Sequence, residues 1–511
     1  MASAIPASRS GRGSRVRVFA VAWAVLSLMA GLWAVATPIA AAPDEPDHLI
    51  KAAAVAHGQL IGSAGGSRVQ VPAYVAFTPA QTCYAFKPLV SAKCSPNPSG
   101  DTAKTVTSAT SAGLYNPVYY LLVGWPSLLF HDDTGVYAMR LVSAILSSLF
   151  LALTVMMVST WRKRMLGLLG VAVAATPMVF FLSGVVNPNA LEATANLAAF
   201  VGVLSIVLHP NQHLTRERCL IVFVAAALAV NTRGISPLWV AIALLTPFIL
   251  VSWSRVRQIA RLGAVRLTVL GVGLATGAAM LWTTQSNSLG LAALTPVSPA
   301  IAPPLGVPAP AAFMAVFSET VEYGKGLVGV FGWLDTPAPS ATLDLWCVFV
   351  GGPVLAALIL LRGRPLALAL TLTGSLILLP PITQALYAPI GGIIWQGRYA
   401  LALFVCVPVG TAALLGARLR KPSTAVALRL VVLVCFGWFS GQLLAFAFTL
   451  KRYTVGGIGA PGATWSRVFA HPLWSPPGGI IWLSVAFVIV FGAGALLLGR
   501  LALKPSAYDR S

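Results

Sequence analysis

Three acids and a histidine stand within five residues in Asp44-Glu45-Pro46-Asp47-His48, and Lys51 follows shortly after. A carboxylate in such a group can act as a general base toward a hydroxyl. Crowded like charges raise the pKa of one member toward a useful range. A divalent cation can bridge such acids, but the residue pattern does not require one, so the cofactor stays unknown. A helix over 44–58 puts Asp44, Asp47, His48 and Lys51 at i, i+3, i+4 and i+7 on one polar face. Leu49, Ala52, Ala53 and Ala56 fall opposite, a pattern that suits a helix lying at a membrane surface. An acidic N-cap followed by proline is also ordinary capping grammar. A cap uses one acid, however, and three are present.

Three arginines stand at predicted outer ends of apolar runs: Arg140, Arg233, and Arg398 in Trp395-Gln396-Gly397-Arg398-Tyr399. A guanidinium fork matches a phosphate with paired donors. Taken singly, each is equally an interfacial anchor or the partner of an acid. Together with the acidic cluster they resemble a site that handles a lipid phosphate. No metal-ligand spacing occurs in the sequence.

The elements that carry these residues follow from composition. Of 511 residues, 57% are hydrophobic and 9% charged, against about 25% charged in an ordinary soluble domain. A soluble multidomain chain, disorder and a disulfide-stapled secreted scaffold are all excluded. The expected fold is an all-α polytopic membrane protein, with residues 1–511 forming one integral membrane domain. A crossing of roughly 30 Å needs about 20 apolar residues. Such runs are expected at 18–40, 134–160, 165–185, 189–208, 219–232, 235–253, 267–285, 341–361, 365–383, 398–417, 425–449 and 478–500, about twelve transmembrane helices. The stretch 219–253 reads as two short helices hinged at Asn231-Thr-Arg-Gly234.

The net charge of +21 suggests either a nucleic-acid partner or a topological signal. Most of the 34 Lys and Arg fall in alternate loops, with runs such as Arg162-Lys163-Arg164 and Arg418-Leu419-Arg420-Lys421. That is the positive-inside pattern, so no nucleic acid is needed and both termini are expected in the cytoplasm of a bacterial plasma-membrane protein. The external surface then concentrates in 41–133, 286–340 and 450–477. The first span could be a signal peptide, but its apolar run is longer than a signal needs, and a retained anchor is favoured. Residues 114–131, rich in Tyr and Trp, are expected to lie on the outer membrane face rather than to cross. Cys83 and Cys94 share the long external loop and are expected to form a disulfide. Cys219, Cys347, Cys406 and Cys435 read as small buried apolar residues. Asn187-Pro188-Asn189 and Glu192 mark an external turn. Phe331-Gly-Trp-Leu-Asp335 reads as a loop lying on the bilayer.

Several of these stretches, in order, resemble a known family: Pro43-Asp-Glu-Pro-Asp-His48, Tyr115-Asn-Pro-Val-Tyr-Tyr120, Asn187-Pro-Asn-Ala190, Phe331-Gly-Trp-Leu-Asp335 and Gln396-Gly-Arg-Tyr399. The resemblance is to the bacterial membrane family called domain of unknown function 2142. That family is similar to the C-type membrane glycosyltransferase (GT-C) superfamily. One departure is Asn189, where the family pattern has an aspartate. The resemblance implies interfacial helices in the first external loop and a polyprenyl-phosphate-linked sugar as donor. It also implies transfer to an envelope glycan acceptor on the external face, within the lipid bilayer. Asp44 would be the general base, with Glu45 or Asp47 as alternatives. Arg233 and Arg398 would hold the phosphate, and Arg140, His48, Lys51 and Tyr119 would contact substrate. Asp335, Gln396 and Tyr399 would complete that surface.

A transporter or flippase for a lipid-linked envelope precursor would instead show internal repeats and charges within the spans, and neither is evident. A non-catalytic assembly factor for envelope polymers remains the third class. The sidedness is checked by cysteine labelling of intact cells. Ser99→Cys is expected to react from outside and Ser423→Cys only after permeabilisation; reaction of Ser423→Cys from outside inverts the topology.

Overall fold

The computed structural model describes residues 9–290 and 306–504. The middle of the expected second external loop, 291–305, therefore lies outside the described residues. Among them, nine helices are long and apolar enough to cross a membrane: Arg12–Ala36, Asp133–Ser159, Pro188–Leu208, Gly263–Gln285, Ser340–Leu360, Gly363–Gly391, Gly397–Arg418, Thr424–Val455 and Ile480–Leu503. One further pair, Arg164–Ala174 and Pro177–Ser183, is apolar enough when taken together, as a broken span or a re-entrant loop, and is bent by 61°. Pro177 sits at the break, where it cannot donate to the preceding turn. The last two expected spans are shorter or more polar. Gln212–Val230 carries Arg216, Glu217 and Arg218 in its first turns, and Ser236–Leu245 is continued only by a 3-10 turn to Leu250. The expectation of about twelve helices, two of them short and hinged at 231–234, resolves among the described residues into nine long helices, one bent pair and that hinged pair.

Packing ranks the helices. Gly397–Arg418 and Pro188–Leu208 are enclosed on nearly all sides, whereas Gly263–Gln285 and Ser340–Leu360 are largely exposed. Exposed Leu267, Val269 and Leu274 on the former give an apolar outer surface that a bilayer covers. The basic ends gather at one end of the bundle. Arg15 pairs with Glu217 at 3.2 Å, Lys163 donates to the carbonyls of Ala417 and Leu419, and Arg164 donates to that of Lys504.

At the opposite end, the loop 41–133, expected to be external, contains more than interfacial helices. Arg68–Pro72 pairs antiparallel with Thr105–Ala109, and Cys83 is bonded to Cys94 with Cα atoms 6.1 Å apart. Within 114–131, the chain forms the short helix Pro117–Gly124 and a 3-10 turn Trp125–Leu128. Tyr119 and Tyr120 are buried, while Leu121, Trp125 and Leu129 are exposed. Gly124 lies so close to the helix Glu45–Ala56 that a Cβ there would stand 2.1 Å from the Ala52 carbonyl oxygen. The acidic helix is therefore packed inside the protein, with Leu49, Ala52 and Ala53 fully buried, and is not a surface helix with a polar face.

Between the first span and that helix runs a non-helical strap, 37–44, whose carbonyls would be orphaned in an apolar surrounding. Side chains meet nearly all of them. Arg140, fully buried on the span Asp133–Ser159, donates to Ala34 (3.1 Å), Thr37 (2.6 Å) and Pro38 (2.8 Å). Tyr84 donates to Ile39, Trp333 to Ala40, Tyr453 to Ala41 and Asn187 to Pro43, while the Glu45 amide takes Ala42. Arg140 also grips Glu45 with two bonds, at 2.7 and 2.6 Å. Removing one partner of a buried ion pair costs about 3–5 kcal/mol. Glu45→Gln is expected to lower stability by about that much, read as a large drop in the melting temperature of the detergent-solubilised protein. Because Arg140 also serves three carbonyls, the apolar double variant Glu45→Leu/Arg140→Met is not expected to restore it. Recovery to wild-type melting would show the strap bonds to be dispensable.

Candidate active site

The strap delivers Asp44 in the left-handed region (φ 61°, ψ 6°), just before the helix Glu45–Ala56. Aspartate tolerates that conformation better than most residues, yet it is still a strained position of the kind found at sites. The consequence is directional. Asp44 leaves the helical face that the spacing suggested and faces a cavity of about 450 Å³, which His48, Arg233, Gln396, Arg398 and Tyr399 also line.

Arg398 enters from the start of the enclosed span Gly397–Arg418. Gly397 is required there, because a Cβ would lie 2.1 Å from the Tyr323 carbonyl oxygen. One Arg398 Nη donates to Asp44 Oδ2, with the guanidinium buried and the carboxylate 43% exposed. The Nε and the other Nη of Arg398 are buried without a hydrogen-bond partner among the described residues. Arg233 comes from the 231–234 hinge and lies 4.1 Å over the Tyr399 ring, while Arg398 lies 5.4 Å from the same ring. Both guanidiniums thus make cation–π contact with Tyr399. Glu192, on the other enclosed span, accepts from Ser236 Oγ at 2.5 Å and stands 3.9 Å from Arg233 Nη1. Among the described residues that Nη1 has no hydrogen bond, nor does the buried Gln396 Oε1.

His48 Nδ1 lies 2.8 Å from the Tyr120 hydroxyl. Burial lowers its pKa to about 3, aided by Arg398 and Arg233 and opposed by Asp44, so it is a neutral imidazole at physiological pH. The cavity wall is completed by residues that motif spacing did not single out for binding: Tyr115, Ser111, Asn189, Leu334 and Trp395. Leu334 also has positive φ, at 61°, in the tight turn between the two short strands Val330–Phe331 and Thr336–Pro337.

Six expected site residues lie elsewhere, each for a physical reason. Glu45 and Arg140 satisfy each other in full burial. The Asp47 carboxylate accepts from the Ser111 amide at 2.6 Å, and burial raises its pKa. Lys51 turns inward and donates to the carbonyls of Leu60 and Gly113, both at 2.6 Å; burial lowers its pKa to about 8. Tyr119 bonds Ser143 at 3.1 Å, and Asp335 pairs with Arg452 at 3.0 Å. Arg452, which the sequence reading missed, also donates to the carbonyls of Tyr84, Lys87 and Val90 and so ties the disulfide loop to the Asp335 turn. These six build the frame, and Asp44, His48, Arg233, Gln396, Arg398 and Tyr399 face the cavity.

No curated protein matches the sequence. Among solved structures, the chain is similar to ArnT from Cupriavidus metallidurans in the apo state, at 13% identity and a TM-score of 0.45, over 97% of this chain and 78% of that one. A family model described as "Predicted membrane protein (DUF2142)" matches residues 27–407. That match spans the strap, the acidic helix, the hinge and Arg398, and the chain belongs to the DUF2142 family of membrane proteins.

Proposed function

We propose that this protein is a membrane glycosyltransferase of the GT-C type that moves a sugar from a polyprenyl-phosphate carrier to an envelope acceptor on the external face. The observation that carries this reading is the cavity itself. Two arginines hold buried donors without a hydrogen bond among the described residues, beside a single half-exposed carboxylate. A buried cationic donor without a partner is costly unless an anion completes it. A phosphodiester carries one negative charge and suits a cavity facing two arginines and one aspartate. The positive-inside reading orients the cavity end outward, away from the basic loops.

The proposed chemistry is a direct displacement. The acceptor oxygen bonds to the anomeric carbon as the bond from that carbon to the phosphate oxygen breaks, and Asp44 takes the acceptor proton. The departing polyprenyl phosphate keeps its electron pair, and Arg233 and Arg398 stabilise that charge. Phosphate competes with Asp44 for the Arg398 fork. Binding the donor therefore loosens the ion pair and frees the carboxylate to act as base. Neutral His48 does not add a third cation.

The test uses the full-length protein in nanodiscs with radiolabelled polyprenyl-phosphate sugars and envelope glycan acceptors. Asp44→Asn is expected to cut turnover by about 10² or more, as loss of a general base does, while donor binding is kept or tightened. Arg398→Gln is expected to weaken donor binding instead. Wild-type turnover in Asp44→Asn removes Asp44 as the base, and absence of transfer by the wild-type protein removes the enzymatic reading.

A further inference from the structure

A second cavity, larger at about 720 Å³, lies at the opposite end of the molecule from Asp44 and plays no part in the proposed reaction. It is a crevice whose walls come from the first span, the span Asp133–Ser159, the broken pair and the last span, Ile480–Leu503. Val18, Leu26, Val155, Ala172 and Leu498 line its length, and Met29 and Trp438 lie at its depth. Along the first span it runs from Gly13 to Met29, which at 1.5 Å per residue is roughly 24 Å. That length exceeds half of a hydrocarbon core about 30 Å thick. The polar group near its deep end is already satisfied, since the Ala175 carbonyl accepts from Trp438 Nε1 (3.1 Å) and Gln442 Nε2 (2.8 Å). The interior is therefore an apolar slot with the reach of an acyl chain.

Its mouth is different. Arg17, Arg500 and Lys504 line the shallow end, together with Ser14. All three basic side chains are exposed, and among the described residues no carboxylate pairs with any of them. Positive-inside charge alone would scatter cations around this end. Here three of them rim a slot that continues into the membrane interior.

We infer that this crevice is a binding site for one anionic glycerophospholipid of the leaflet on the basic side, its acyl chain in the slot and its phosphate on Arg17, Arg500 and Lys504. Charge complementarity selects an anionic over a zwitterionic head, and the apolar slot separates a lipid from a free anion. A lipid seated there bridges the first and last spans, and the first span ends in the strap that holds Asp44.

The experiment is native mass spectrometry of the full chain released from mixed phosphatidylglycerol and phosphatidylcholine nanodiscs. Wild type is expected to retain phosphatidylglycerol in preference, and 10 mM inorganic phosphate, on the order of a saturating competitor for an exposed anion site, is expected not to displace it. The variant Arg17→Gln/Arg500→Gln/Lys504→Gln alters only exposed side chains. It is expected to lose the preference by tenfold or more, since each basic residue near a membrane surface contributes a factor of about five. Ala172→Phe fills the slot while leaving the charges, and is expected to abolish retention; an unchanged melting temperature separates this from misfolding. Equal retention of the two lipids by wild type overturns the proposal, as does wild-type retention in Ala172→Phe. Complete displacement by phosphate overturns it in favour of a free-anion site.

Discussion

The Arg140 guanidinium is the contact on which the rest of this structure depends. It sits fully buried in the second membrane helix and spends every donor, on Glu45 and on the carbonyls that end the first span. Inside a bilayer, backbone that leaves a helix must find partners within the protein. The strap from Thr37 to Asp44 finds them in side chains from five distant segments. Without those bonds the chain would fray where it must be stiffest, one residue before the proposed base.

That anchoring explains a division of labour among residues that look alike in sequence. Of three neighbouring acids, Glu45 holds the frame, Asp47 holds the 110–111 loop, and Asp44 alone, pushed into a left-handed turn, meets the cavity. The arginines divide the same way. Arg140 and Arg452 consume their donors on carbonyls, carboxylates and a hydroxyl, whereas Arg233 and Arg398 retain buried donors without a hydrogen bond among the described residues. Tyr399 makes cation–π contact with both of the latter, and Glu192 pairs with Arg233, which offsets the crowding of two cations at one cavity.

Much of this was legible in the sequence, and the losses have physical causes. Hydropathy and basic loops located nearly every helix, because a bilayer imposes length and polarity on each crossing. The 231–234 hinge and the Cys83–Cys94 bond were legible for similar local reasons. Asp44, Arg233 and Arg398 stood out because charges at the ends of apolar runs are rare. What could not be read was which charge meets which. Glu45 and Arg140 are 95 positions apart, and only the fold turns them from site candidates into a clamp. The helical spacing that grouped Lys51 with Asp44 failed because Asp44 is not helical and Lys51 points inward to two carbonyls. Arg452 carried no local signal, and the strands 68–72 and 105–109 were missed although Arg68-Val69-Gln70-Val71 alternates, because four alternating residues are too short a run to stand out in an apolar chain.

The central claim is that the donor's phosphate occupies the cavity between Arg233 and Arg398. It is tested most directly by a cryo-electron microscopy structure of the protein with a short-chain polyprenyl-phosphate sugar. The expected result is phosphate density within hydrogen-bond reach of Arg398 Nε and Arg233 Nη1, with the anomeric carbon on the Asp44 side. Phosphate density outside that cavity, with the Asp44–Arg398 pair undisturbed, would contradict it.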